Sequence, residues 1–413
     1  MKLSIARKRF HFLTLVLMAW SVGIVSAASD SLIHSGDRIA IVGNTFADQL
    51  RMHGYLETVL KQRADVSVRN LGWGGDTLTV RDRPTNFPTE ETFLTAHQTD
   101  VIVACFGMGE SFAGQAGLGE FKRNLRAFVA SHSGKKYNGE SEVRLVLVSP
   151  IAYENRGETT PAWPERNHDL ESYTRAMQDV ATEAKVGFVN LFDPSRALMS
   201  QSGEVKLTTN GIHLNALGYW AINHEFANQL LAGASVRSRL TIDARSAPGV
   251  ASRAEFSGER DDPQEFVFTV VEQEFSSLPP PVKGDLPEVM EEQRDALAVI
   301  NLPPGRYTLM VEDTPVATAT ADAWANGVAI DASPAHQNAE KYRTAVIEKN
   351  QQFTYGWKAL NQVHIVGERR HSPSGRALPA EQVEFIKLAR EREEELRGQT
   401  MGKTRQWRLV PTE

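Results

Sequence analysis

Cysteine is nearly absent from this chain of 413 residues: Cys105 is the only one. A single thiol excludes an intrachain disulfide, a cysteine-based zinc cluster and a C-x-x-C-H haem site. It lies inside the apolar run Val101–Phe106, so it reads as a small buried hydrophobe. An excess of positive charge is also missing. Lys and Arg number 45 against 51 Asp and Glu, a net −6, and such a surface does not recruit nucleic acid or anionic lipid non-specifically. Long apolar runs are scarce: beyond the start of the chain none approaches the roughly 20 residues a membrane span needs. No internal repeat is present either.

The one apolar run of note stretches from Phe12 to Val25. Lys2, Arg7, Lys8 and Arg9 precede it, and Val25-Ser26-Ala27 supplies small residues after it. This is the pattern of a secretory signal peptide cleaved after Ala27 or Ala28, and it predicts export to the periplasm or the extracellular space. Removing it takes four positive charges and no negative ones, leaving 41 Lys and Arg against 51 Asp and Glu, or −10.

The first half of the chain is built around Arg38–Asp48. Ile39, Ala40, Ile41 and Val42 form a short continuous apolar run, the mark of a strand buried on both faces of a parallel sheet. Gly43 breaks it, Asn44 and Thr45 are good helix N-cap types, and an amphipathic helix is expected from Phe46 to about Gln62. Further strands are expected at Val66–Leu71, Asp100–Phe106, Arg144–Val148 and Gly187–Leu191. Helices are expected near Gly119–Ser131, Leu170–Ala184 and Ala216–Leu231. The polar, proline-bearing loop Tyr153–Arg166 reads as a surface lid or rim. Alternation at this spacing predicts a parallel sheet clad by helices, with the loops after successive strands sharing one edge, where open α/β folds bind their ligands.

Past Gly233 the texture changes. Arg237–Ala244, Glu265–Gln273, Ala296–Leu302 and Arg306–Glu312 alternate apolar and polar residues, which predicts a small antiparallel β module. Helices are expected at Asn338–Tyr355 and Pro379–Arg397, the second so dense in charge that it reads as a solvated or partner-facing face. Trp324, Trp357 and Trp407 lie in this half; they read as packing anchors or as sugar platforms. The predicted organisation is a signal peptide at 1–27, an α/β domain at 31–232, a β module at 236–332 and a helical region at 335–413.

Four blocks in the first half, taken together, resemble the SGNH (GDSL-type) hydrolase family. Gly43-Asn44-Thr45 sits where that family has Gly-Asp-Ser. Asn70 to Thr77 matches its second block, Gly107-Met108-Gly109-Glu110 stands where it has Gly-x-Asn-Asp, and Asn210-Gly211-Ile212-His213 followed by Gly218-Tyr219 matches the Asp-x-x-His block. The resemblance covers Asp37 to Leu231 and implies a three-layer α/β/α, flavodoxin-like fold. It implies hydrolysis of acyl esters, commonly on carbohydrates, without cofactor or metal and with a small-molecule or carbohydrate ester as the substrate partner. Thr45 would then be the nucleophile, His213 the general base and Asn210 its orienter. Gly75 would supply an oxyanion amide, with Asn44 and Gly109 beside it.

Three positions depart from the pattern. Thr45 replaces serine, and its methyl group restricts χ1. Asn210 replaces aspartate, a change that lowers turnover by about 10⁴ in a serine protease. Gly109 replaces the oxyanion asparagine, a donor whose loss costs on the order of 10² to 10³. Two substitutes suggest themselves: Glu110 or Asp76 could bring charge to His213, and Ser111 could replace Thr45 as nucleophile. Asp48, His53 and Asp76 invite a metal site, but helix-face polarity and turn hydrogen bonds account for them. Two functions are therefore expected to compete: an exported ester hydrolase with an atypical Thr/His site, and a catalytically impaired descendant that binds a glycan or serves a structural, interaction role.

Overall fold

The computed structural model describes residues 31–84, 87–233, 239–245, 249–251, 254–257, 266–272, 276–358, 371–397, 399 and 403–412. The expected signal peptide at 1–27 lies outside the described residues. From Ser31 onward the described chain forms one compact unit.

Its first part alternates strand and helix: β1 (Arg38–Gly43), α1 (Thr45–His53), α2 (Tyr55–Ala64), β2 (Ser67–Asn70), α3 (Glu90–Ala96), β3 (Val101–Cys105), α4 (Gly114–His132), β4 (Arg144–Val148), α5 (Trp163–Ala184), β5 (Gly187–Val189), α6 (Phe192–Gln201) and α7 (Ala216–Leu231). The five strands are parallel in the order β2-β1-β3-β4-β5, the flavodoxin-like order. Alternate residues of each strand feed opposite layers. Ile39, Ile41, Val101, Val103, Val146 and Val148 pack toward α1, α2 and α7, while Ala40, Val42, Ile102, Ala104, Leu145 and Leu147 pack toward α4 and α5. Burial on both faces explains the unbroken apolar runs.

The single helix expected over 46–62 is two helices. Gly54 closes α1 in the left-handed conformation at φ +69° and opens α2, a bend that glycine adopts without the Cβ penalty. Two helices of this part lie where no helix was expected: α3, ahead of β3, and α6, after β5.

The second part is a β-sandwich. Its strands are β6 (Arg239–Asp243), β7 (Gly249–Ala251), β8 (Ala254–Ser257), β9 (Phe266–Glu272), β10 (Ala296–Ile300), β11 (Arg306–Val311), β12 (Thr314–Thr320), β13 (Val328–Ala329) and β14 (Thr404–Thr412). The helices α8 (Glu288–Glu291), α9 (Ala321–Asn326), α10 (Pro334–Trp357) and α11 (Pro373–Arg397) interrupt them. One sheet runs β13-β10-β6-β7 and the other β12-β11-β14-β9-β8. Leu240, Val299, Phe268, Leu309, Trp324 and Trp407 share the core between them. The module is not purely antiparallel, because β6 and β10 pair in parallel. Nor is it contiguous: β14, from the stretch expected to be helical, sits between β9 and β11. Trp324, Trp357 and Trp407 are buried, none more than 3% exposed, so they act as packing anchors rather than open sugar platforms.

Helices α10 and α11 cover the edge strand β2. The ammonium groups of Lys61 and Lys349 donate to the outward carbonyls of Val66 and Val68, each at 3.0 Å. An edge strand otherwise leaves such carbonyls unpaired. Helix α11 is therefore not wholly solvated as its composition suggested. Glu393, only 3% exposed, accepts from Lys61 at 2.5 Å and from Arg69, and Lys349 pairs with Glu57.

Candidate active site

Strand β1 ends at Gly43, where a side chain would strike the carbonyl of Cys105 on β3, and its φ is +132°. Only glycine lets the two strands separate so abruptly, and the chain turns at once into α1. The side chain of Asn44 accepts from the Phe46 amide at 3.0 Å as the N-cap, so its oxygen is spent on the helix end. Thr45, the first residue of α1, presents its hydroxyl at the carboxyl edge of the sheet, between β1 and β3, where the strand order reverses.

The loop after β2 comes to meet it. Gly75 N donates to Thr45 Oγ1 at 3.2 Å, so the amide expected to serve the oxyanion is turned toward the hydroxyl itself. Gly109 follows β3 in ordinary right-handed helical geometry at φ −64° and offers no side chain. On the far side, the turn before α7 carries His213.

Thr45 and His213 line one cavity of about 140 Å³, together with Gly75, Asp76, Gly109 and Ile212. Its remaining wall is largely apolar: Phe46, Cys105, Phe106, Met108, Phe112 and Ile151. Among the described residues no hydrogen bond joins Thr45 to His213. Cys105 is buried, and burial pushes its thiol far above the ordinary range, so no thiolate forms there.

The orientation of Asn210 is set by the backbone. Its Oδ1 accepts from the amides of Ile212 at 3.3 Å and His213 at 3.0 Å, so the group facing the imidazole is the NH₂, 2.9 Å from His213 Nδ1. An NH₂ only donates. Nδ1 therefore accepts, and the neutral ring carries its proton on Nε2.

The suggested substitutes are committed elsewhere. Glu110 accepts from the amides of Leu78 and Gly107, each at 2.9 Å; it ties the β2 and β3 loops together and does not line the cavity. Burial lifts its carboxyl above the usual range, against the pull of those amides. Ser111 is fully buried, donates to Met108 O at 2.8 Å and accepts from Arg166 at 2.7 Å, so it does not replace Thr45. Asp76 borders the cavity but is held by Arg83 in a two-point ion pair at 2.6 and 2.8 Å. Asp48 pairs with Arg51 and Lys358, and His53 stacks on Tyr219. Burial, aided by Arg343, lowers the His53 pKa to about 4. These three side chains do not converge on a metal.

One positioning residue escaped the sequence reading. Glu154, in the loop expected to form a surface lid or rim, is 1% exposed. It accepts from the amides of Leu207 at 2.8 Å and Thr208 at 2.9 Å, and from the Thr208 hydroxyl at 2.5 Å. That carboxylate anchors the segment leading into Asn210 and His213. Its only signal in the sequence is one glutamate among the three of that loop, Glu154, Glu158 and Glu165, and nothing there separates it from a solvated one.

Residues 30–221 match the family model described as GDSL-like Lipase/Acylhydrolase family. No curated protein matches the chain significantly. Among solved structures, a gut microbial diltiazem-metabolizing enzyme is similar over 92% of this chain and 98% of its own, at 17% identity and a TM-score of 0.68. That likeness extends the shared fold beyond the α/β part. An acetyl xylan esterase from Geobacillus stearothermophilus matches over 48% of this chain and 96% of its own, at 16% identity and TM-score 0.37. An α/β hydrolase from the metagenome of Lake Arreo, Spain, covers 48% and 97% at 16% identity and TM-score 0.36. With the parallel sheet, the loop positions and the family match in agreement, residues 30–221 of this chain belong to the GDSL-like lipase/acylhydrolase family.

Proposed function

We propose that this protein is an exported hydrolase of short acyl esters, acetylated carbohydrates being the substrate class, with Thr45 as nucleophile and His213 as general base. The observation that carries the reading is the meeting of Thr45 and His213 in one small, mostly apolar cavity. A volume of about 140 Å³ suits an acetyl-sized group better than a fatty chain. In the reaction Thr45 Oγ1 attacks the carbonyl carbon and passes its proton to His213 Nε2. The imidazolium returns that proton to the departing alcohol, and water then cleaves the acyl-threonine by the same relay. The Asn210 amide works against the first step, since Nε2 already holds a proton in the favoured tautomer. Turnover is accordingly low.

The test is hydrolysis of p-nitrophenyl acetate by the full protein. Thr45→Ala and His213→Ala should each abolish it; activity that survives in both sinks the dyad. Export is tested separately, by the N-terminal sequence of the protein recovered outside the cytoplasm, which should begin just after Ala27 or Ala28.

The His213 tautomer favours a second reading, a binding protein that holds an acylated ligand without cleaving it. Saturable binding of an acetylated oligosaccharide with no release of acetate distinguishes this from the first.

A further inference from the structure

Away from Thr45, a cleft of about 690 Å³ opens between α3 and α11, within the range of ligand clefts, roughly 300–1,000 Å³. Its floor is charged and buried. Arg69, 6% exposed, spends Nη1 on the Val68 carbonyl and on Glu393; among the described residues nothing takes its Nε or Nη2. The guanidinium lies over the Phe353 ring, 5.3 Å from the centroid.

Positive charge is in surplus here. Beneath the floor Lys61 and Lys349 join Arg69 against Glu57 and Glu393. At the rim Arg397 pairs with Glu394 at 2.9 Å, whereas Arg390 has no ion-pair partner among the described residues. A local excess of cations is unexpected in a chain of net charge −6, and a cleft concentrates its field.

The second observation is His97, at the end of α3 and in the cleft wall. Its Nε2 is buried with no hydrogen-bond partner. Burial, with Arg69 beside it, lowers the ring's pKa to about 3, so it stays neutral. Nε2 is thus a buried ring nitrogen left unpaired. A buried polar atom left unpaired is costly and asks for a partner.

We propose that this cleft binds a hydroxycarboxylate, as in a uronic acid, its carboxylate held by Arg69 and Arg390 and a hydroxyl paired with His97 Nε2. A guanidinium edge matches a carboxylate in two-point geometry, and a neighbouring hydroxyl satisfies the imidazole. The site is separate from the cavity of Thr45 and does not depend on ester hydrolysis.

The test is calorimetric titration of the full-length protein with D-glucuronate, D-glucose and sulfate. Glucuronate should bind saturably, and glucose at least about tenfold more weakly, a loss of the charged contact. Arg390→Ala, at an exposed position outside the buried network, should weaken glucuronate about tenfold without moving Tm. His97→Leu should weaken glucuronate but not sulfate, because only the sugar acid supplies the hydroxyl. If His97→Leu fails to fold, Arg390→Ala alone decides. No saturable glucuronate binding, equal binding of glucose, or an Arg390→Ala variant with unchanged affinity would each overturn the proposal.

Discussion

Asn210 donates its side-chain amide to Nδ1 of His213 at 2.9 Å, and its own oxygen is pinned by the amides of Ile212 and His213. The amide cannot turn over without giving up both backbone bonds. His213 therefore meets the cavity as a donor, while a base that accepts the proton of Thr45 has to present a bare Nε2. An aspartate in the same place accepts from Nδ1–H, reverses the tautomer and stabilises the imidazolium by charge.

Asn210→Asp is accordingly expected to raise kcat for p-nitrophenyl acetate, by at least about tenfold and at most the roughly 10⁴ seen for the reverse change in a serine protease. The backbone contacts survive, since a carboxylate oxygen accepts the same two amides. An unchanged kcat, with the protein folded, means that the tautomer of His213 is not what limits the site.

Repairing the other two positions meets different obstacles. Thr45→Ser only deletes a methyl group and leaves Oγ in place for Gly75 N. Gly109→Asn is compatible with the local φ of −64°, but the new Cβ stands 3.1 Å from Thr77 Cγ2, so the Thr77 side chain has to yield by a few tenths of an ångström. The triple variant Thr45→Ser, Gly109→Asn, Asn210→Asp should exceed Asn210→Asp alone by more than about tenfold in kcat/KM, since an oxyanion donor is worth on the order of 10² to 10³. Adding Thr77→Ala should increase the gain further if crowding limits it. A flat result in both identifies a cavity that no longer accepts an ester.

What was legible in the sequence differs from feature to feature, according to what each depends on. The parallel sheet was readable because Ile39–Val42 and Val101–Cys105 are buried on both faces, and such strands write unbroken apolar runs. Thr45 and His213 were readable from block order, and they do line one cavity. The tautomer was not, because it depends on which atom of an amide faces a ring. Glu154 and Glu393 were missed for a related reason. A buried carboxylate has the same letter as a solvated one, and its partners, Leu207 and Thr208 or Lys61 and Arg69, lie far away in the chain. Strand β14 was hidden by the two helices that precede it, since only its pairing with β9 and β11 identifies it.

Glu154→Gln should loosen the turn that carries His213. The amide keeps one acceptor oxygen and brings an NH₂ against the donors of Leu207 or Thr208, leaving a buried donor unpaired at a cost of about 1–3 kcal/mol. A lower Tm together with a lower kcat is expected, and hydrogen exchange at the Leu207 and Thr208 amides should quicken. Unaltered exchange at both amides contradicts the anchoring role.

The buried charges under α11 give a pH dependence whose sign can be worked out. Burial opposes the charge on Glu393, but Lys349, Arg69 and Lys61 outweigh it and hold the carboxyl well below the usual carboxylate range. The unfolded chain then takes up the proton first as pH falls, so this contribution is full above the unfolded pKa of about 4.3 and is lost beneath it. Lys349 works in the opposite direction. Burial lowers its pKa to about 8, against the attraction of Glu57 and Glu393, so its cost is relieved only as pH climbs from about 8 toward 10.5. At pH 7 Glu393→Gln should cost about 3–5 kcal/mol, as a broken buried pair does, since it leaves Arg69 without its carboxylate and Lys61 with only Glu57, at 4.0 Å. The Tm difference between wild type and variant should shrink as pH drops below about 4, where the wild type loses what the variant never had. A difference that stays constant from pH 7 to pH 3 shows that Glu393 is not charged in the folded protein.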